Sequence, residues 1–168
     1  MKTKSIRNIF ALALILFTVF GCSKYEDGPL ISFRSAGRKI HNTIWSIESV
    51  MKNDNDITVD VHSHFNRISF SGNQDEYSNI EGLDLFNGST TVGFGLWYFS
   101  DNEYNDNDFS KLTMHLISFP GDTAACYPFP LNKFLIFKIN RLTMEDLWIE
   151  HTDSVQNEYV IKFENNQQ

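Results

Sequence analysis

"EYVIKFE" (158–164) sets Tyr159, Ile161 and Phe163 at every second position, with Val160 and Lys162 between them. A strand turns successive side chains to opposite faces, so this spacing gives the segment one apolar face. The same alternation recurs upstream. "KLTMHLIS" (111–118) aligns Leu112, Met114 and Leu116, and "RISFS" (67–71) aligns Ile68 and Phe70. "ITVDV" (57–61) sets Ile57, Val59 and Val61 against Thr58 and Asp60, so it too is expected to be a strand. "TIWSIESVM" (43–51), "TTVGFGLWYF" (90–99), "KFLIFKIN" (133–140) and "DLWIEHT" (146–152) are rich in β-branched and aromatic residues, which suit a pleated surface.

Turn-forming stretches separate these runs: "NDND" (53–56), "SGNQDE" (71–76), "NGS" (87–89), "SDNEYNDND" (100–108) and the three-proline stretch "FPGDTAACYPFPLN" (119–132). Asn and Asp in "NDND" tolerate left-handed backbone and favour a tight turn. Eight or nine short strands spaced this way predict an all-β, antiparallel up-and-down meander, closed as a barrel or stacked as a sandwich. The expected inward side chains are Trp45, Ile47, Val59, Phe70, Phe94, Leu96, Leu135, Phe137, Ile149 and Phe163, with Tyr159 on the same face as Phe163. Gly93 and Gly95 flank Phe94 and point to a sharply bent strand or a close approach by another group.

The N-terminus has a different character. Lys2, Lys4 and Arg7 precede an apolar run from Ile9 to Phe20, broken only by Thr18, and Gly21-Cys22 follows. That run of about 12 residues would span roughly 18 Å as a helix, short of a hydrocarbon core of about 30 Å. A basic start, a short apolar stretch and a small residue describe an export signal. Val19-Phe20-Gly21-Cys22 resembles the bacterial lipoprotein processing site, in which the cysteine thiol accepts diacylglycerol and the chain is cut before it. Phe20 is bulkier than the usual residue there. The resemblance implies cleavage between Gly21 and Cys22, lipidation of Cys22 and a membrane partner reached through that anchor. Ser23 suits outer-membrane sorting, and Lys24, Glu26 and Asp27 are similar to surface-export signals of Bacteroidota lipoproteins.

Removing residues 1–21 takes away three cations and no acid, leaving 11 basic and 21 acidic residues at a net charge of −10. Nucleic acid and anionic head groups both need a positive patch, so neither is an expected partner. The lipid must anchor alone, each buried methylene contributing about 0.8 kcal/mol. With Cys22 acylated, Cys126 is the remaining cysteine and no internal disulfide can form.

Chemistry-bearing motifs are sparse. His62 and His64 would project together from a strand, as half a metal site does, but Ile57, Val59 and Val61 claim the inner face. The acidic run Asp101, Glu103, Asp106 and Asp108 lacks the glycine and closing glutamate of an EF-hand loop. No metal or cofactor is expected. There is no phosphate loop, nucleophile elbow or HExxH pattern. Two of the many carboxylates could still meet in space as acid and base, but the favoured expectation is non-enzymatic binding.

The order "FRSAGRKIHNTIWSIESV…NDNDIT" then "INRLTMEDLWIEHTD…NEYVIKFE" resembles the lipocalin-like lipoproteins of Bacteroidota. In that family an early Trp lies on the first strand, here Trp45. A segment with Ile139, Leu142, Thr143, Leu147 and Ile149 joins two strands, and Tyr159, Ile161 and Phe163 close the barrel. Thr43 stands where the family commonly has glycine. The resemblance implies a lipocalin-like (calycin) β-barrel of about eight strands. The implied organisation is a lipoprotein signal peptide (1–21), a lipidated cysteine and tether (22–40), the barrel (41–165) and a polar tail (166–168), with "ISFRS" (31–35) available as an edge strand. It implies a lipid-anchored protein of the outer membrane in the cell envelope, surface-exposed if the export signal operates. Two functions are open: a small apolar or amphipathic ligand in a pocket drawn from Trp45, Ile47, Phe70, Phe94, Leu96, Phe137, Tyr159 and Phe163, or an envelope protein or glycan held on loops outside a filled barrel.

Overall fold

The computed structural model describes residues 36–72, 81–100, 109–119 and 128–165. Helix α1 (Ala36–Ile40) leads into β1 (Thr43–Lys52) and β2 (Asn55–Asp56). Helix α2 (Thr58–His64) follows, then β3 (Arg67–Phe70), β4 (Glu81–Asn87), β5 (Thr90–Phe99), β6 (Lys111–Ser118), β7 (Phe134–Leu142), β8 (Asp146–Thr152) and β9 (Glu158–Glu164). Each strand from β3 onward pairs antiparallel with the next, and β1 pairs with both β3 and β9. The first half of β1 (Thr43–Ser46) bonds to β3 and the second half (Ser46–Lys52) to β9. The sheet therefore closes into an eight-stranded, lipocalin-like up-and-down barrel, with β2 as a short extra strand. Closure leaves no long open edge of the barrel to pair with another chain.

Local chemistry sets the turns. Asn53 and Asp54 adopt positive φ (47° and 64°), which gives the two-residue hairpin that the Asn/Asp composition predicted. Gly88, at φ 58°, turns β4 into β5. At the β7–β8 turn the Thr143 hydroxyl accepts the Glu145 and Asp146 N–H groups at 3.0 and 2.8 Å. Ile139, Leu142, Leu147 and Ile149 flank that turn and are all buried. In β1, a bulge between Ile47 and Ser49 shifts the alternation, so that Val50 turns inward after Trp45 and Ile47.

Three expectations are corrected. Residues 58–64 of the "ITVDV" region are helical, and Val59 is 83% exposed. Ile57, Val61 and Phe65 stand four apart, a helical stripe that packs on the core, and Asp56 Oδ1 accepts the Thr58 N–H at the helix start. His62 and His64 accordingly lie on a helix, and His62 Nε2 donates to the Ile47 carbonyl at 3.1 Å. The phase of β5 is opposite to that expected. Phe94 is 50% exposed and Leu96 is half-buried on the outer side, whereas Trp97 and Phe99 fill the interior. The glycines decide this: a Cβ on Gly95 would lie 2.3 Å from the His115 carbonyl oxygen, and one on Gly93 would lie 2.8 Å from the Phe119 ring. The third correction is "EGLDLFN" (81–87), which forms β4 with Leu83 and Leu85 inward and was not among the expected strands.

The interior is filled by one cluster in which Trp45, Phe65, Phe70, Leu112, Phe137, Ile161 and Phe163 have no exposed surface. At the α1 end, Trp97 meets Phe70 at 5.2 Å and Phe99 at 5.5 Å, edge to face. Within the stretch expected to be a tether, Ala36 and Ile40 are buried, and Lys39 Nζ donates to the Leu142 carbonyl at 3.0 Å. At the α2 end, Phe129 lies 5.7 Å from both Phe65 and Phe137. Gly21, Cys22, Cys126, the acidic run 101–108, "ISFRS" (31–35) and the tail (166–168) lie outside the described residues.

Candidate functional site

Strand alternation brings the ends of β6 and β8 and the starts of β7 and β9 to the α2 end of the barrel. There the β8–β9 loop is built around Asp153. Its Oδ1 accepts the Val155 and Asn157 N–H groups, both at 2.9 Å, and its Oδ2 accepts Asn157 Nδ2 at 2.8 Å and, at 3.4 Å, the Tyr159 hydroxyl. These bonds, that from the Asn157 side chain foremost, hold the half-buried Asp153 carboxyl below the usual aspartate range. Asn53 ties the loop to the first hairpin, donating through Nδ2 to Asn157 Oδ1 at 2.9 Å and accepting the Glu158 N–H at 2.8 Å. Opposite, Asn132 takes φ 56° and donates its N–H to the Leu116 carbonyl at 2.8 Å, which fixes the chain just before Lys133.

Between these two tethered segments opens a cleft of about 430 Å³. Pro128, Pro130, Phe134, Leu135 and Tyr159 give it apolar walls, and Lys133, His151, Thr152, Asp153 and Ser154 its polar ones. Tyr159 is almost wholly buried, and His151, its cross-strand partner, lies 5.2 Å from the Phe137 ring. His151 Nδ1 donates to the Ile136 carbonyl at 2.9 Å. Phe134, 61% exposed, stacks at 4.1 Å on His115. A second, shallower groove of about 410 Å³ crosses the outer face beside it, lined by Lys111, Ile136, Lys138 and Glu150 and sharing Phe134, His151 and Thr152.

Of the sequence-expected pocket residues, Tyr159 lines the cleft. Trp45, Ile47, Phe70, Phe137 and Phe163 belong to the packed core, and Phe94 and Leu96 lie on the outside. Lys133, Phe134, His151 and Asp153 were not singled out from the sequence. Pro128 and Pro130, in the proline-rich loop, were the available signal. The chain matches no protein-family model and no curated protein sequence. The fold defines the class, a lipocalin-like antiparallel barrel.

Proposed function

We propose that this is a lipid-anchored envelope protein of the lipocalin-like lipoprotein type seen in Bacteroidota, held by Cys22, whose barrel binds a small amphipathic ligand at its α2 end. The supporting observation is the 430 Å³ cleft, which lies within the size range of small-molecule sites and pairs apolar walls with a few polar groups. Because the centre of the barrel is packed, the ligand sits above the Phe137–Tyr159 level and not among Trp45, Phe70 and Phe163. A second reading, a surface module for a protein or glycan, is favoured by the outer groove and the 55% exposed Ile136 beside Phe134.

The test is titration of lipid-free protein with amphipathic probes and soluble glycans, followed by heat stability and by NMR shifts of His151 and Tyr159. A ligand at 100 times its Kd adds about 2.7 kcal/mol of stability. Ser154→Trp, at the exposed rim, should block the cleft without touching the core. Saturable binding lost in that variant supports the pocket. Binding of a glycan or protein that survives it but is lost in Ile136→Ala supports the surface module instead.

A further inference from the structure

The polar groups of the cleft can be counted by what each still has to offer. Asp153 is the one carboxylate among the described lining residues, and its two oxygens already take three N–H groups and the Tyr159 hydroxyl. A carboxylate has about four acceptor sites, so little capacity remains for a ligand donor. His151 Nδ1 is committed to a carbonyl, which leaves Nε2 as a lone acceptor when the ring is neutral. By contrast, Lys133 is exposed and makes no ion pair or hydrogen bond with any described residue, and the Thr152 and Ser154 hydroxyls are likewise unengaged among them. An ammonium only donates. The hydrogen-bonding capacity left open in the cleft is therefore on the donor side, headed by the Lys133 ammonium.

We propose that the cleft selects amphipathic anions: an apolar body against Pro128, Pro130, Phe134 and Leu135, and a carboxylate or phosphate head on Lys133 with the Thr152 and Ser154 hydroxyls. This rests on the reading of the cleft as the ligand site. Selectivity arises because a cationic head would meet Lys133 and find Asp153 already occupied, whereas an anionic head meets free donors. Charge-assisted bonds of this kind are about twice as strong as neutral ones.

The experiment uses the purified full-length chain and four probes sharing one tail, each below its micelle concentration: dodecanoate, dodecyl phosphate, dodecanol and dodecylammonium. Binding is read by NMR titration and repeated with Lys133→Met and Lys133→Arg, both at an exposed position. One or both anions should bind at least ten-fold more tightly than the alcohol and the ammonium, and which anion leads separates a carboxylate from a phosphate source. Lys133→Met should abolish that preference while leaving dodecanol within two-fold, and Lys133→Arg should retain it. Equal or tighter binding of dodecanol or dodecylammonium, or a preference that survives Lys133→Met, overturns anion selection and leaves the pocket standing. Failure of all four probes to bind overturns both.

Discussion

His41 and Glu81 are joined side chain to side chain at the α1 end, through Nε2 and Oε2, with both side chains almost completely shielded from water. His41 Nδ1 also reaches the Gly37 carbonyl at 2.7 Å, and its ring meets Trp97 at 4.9 Å. The pair thus links α1 to the start of β4 across the base of the barrel. Removing one partner takes a buried polar contact from the other, so His41→Ala or Glu81→Gln should cost about 1–3 kcal/mol. Denaturant unfolding of both variants and their double mutant measures this, and strictly additive losses would argue against the pair acting as a unit.

The phase of β5 can be tested by exchanging outside for inside. Phe94→Ala removes an outward ring and should change stability by no more than about 0.5 kcal/mol. Gly95→Ala drives a Cβ into the His115 carbonyl and the Leu116 Cα, both backbone atoms, and should destabilise by about 1–3 kcal/mol. Thermal unfolding in which Phe94→Ala is the more damaging change would reverse the assignment.

Helix α2 carries its own test. Val61 is buried and Val59 is not. Val61→Asp should prevent stable packing, since burying a whole valine side chain is worth about 1.5–3 kcal/mol and the new charge has no partner there. Val59→Asp should be tolerated. Equal damage from both would fit a strand with one apolar face, the arrangement that the alternation first suggested.

Asp153 and Asp56 should each contribute to the acid limb of stability. Both carboxyls are held below the ordinary aspartate value, Asp153 chiefly by the Asn157 side chain and Asp56 chiefly by the Thr58 side chain. A group whose folded value is depressed contributes stability above its unfolded value, near pH 4, and loses it as the pH falls through the folded value. Asp153→Asn should therefore flatten the fall in unfolding temperature below about pH 4 and leave the profile at pH 6–8 parallel to the parent's. An unchanged acid limb would remove Asp153 from this role.

For the proposed anchor, Cys22→Ala should abolish incorporation of a labelled fatty-acid analogue and release the protein from membranes. Equal labelling of the variant would refute lipidation at Cys22.

Period and turn chemistry made much of the sheet legible in the order of the residues. Alternation along "EYVIKFE", "KLTMHLIS" and "RISFS" is a local property, and each became a strand with the expected face inward. "NDND" turned where its Asn and Asp permit positive φ. Ile57, Val59 and Val61 satisfy a period of two while Ile57, Val61 and Phe65 satisfy a spacing of four, and only packing against the core chose between them. The same holds for β5, where size pointed to Phe94 but the close passage of β6 and Phe119 left room inside only for Gly93 and Gly95. The cleft was least legible, because its walls come from residues 128–135, 151–154 and 159, separated in the chain and brought together only by the pairing of β7, β8 and β9. Whether a side chain faces core, cleft or solvent depends on what arrives opposite it, and the partner strand, not the local sequence, supplies that.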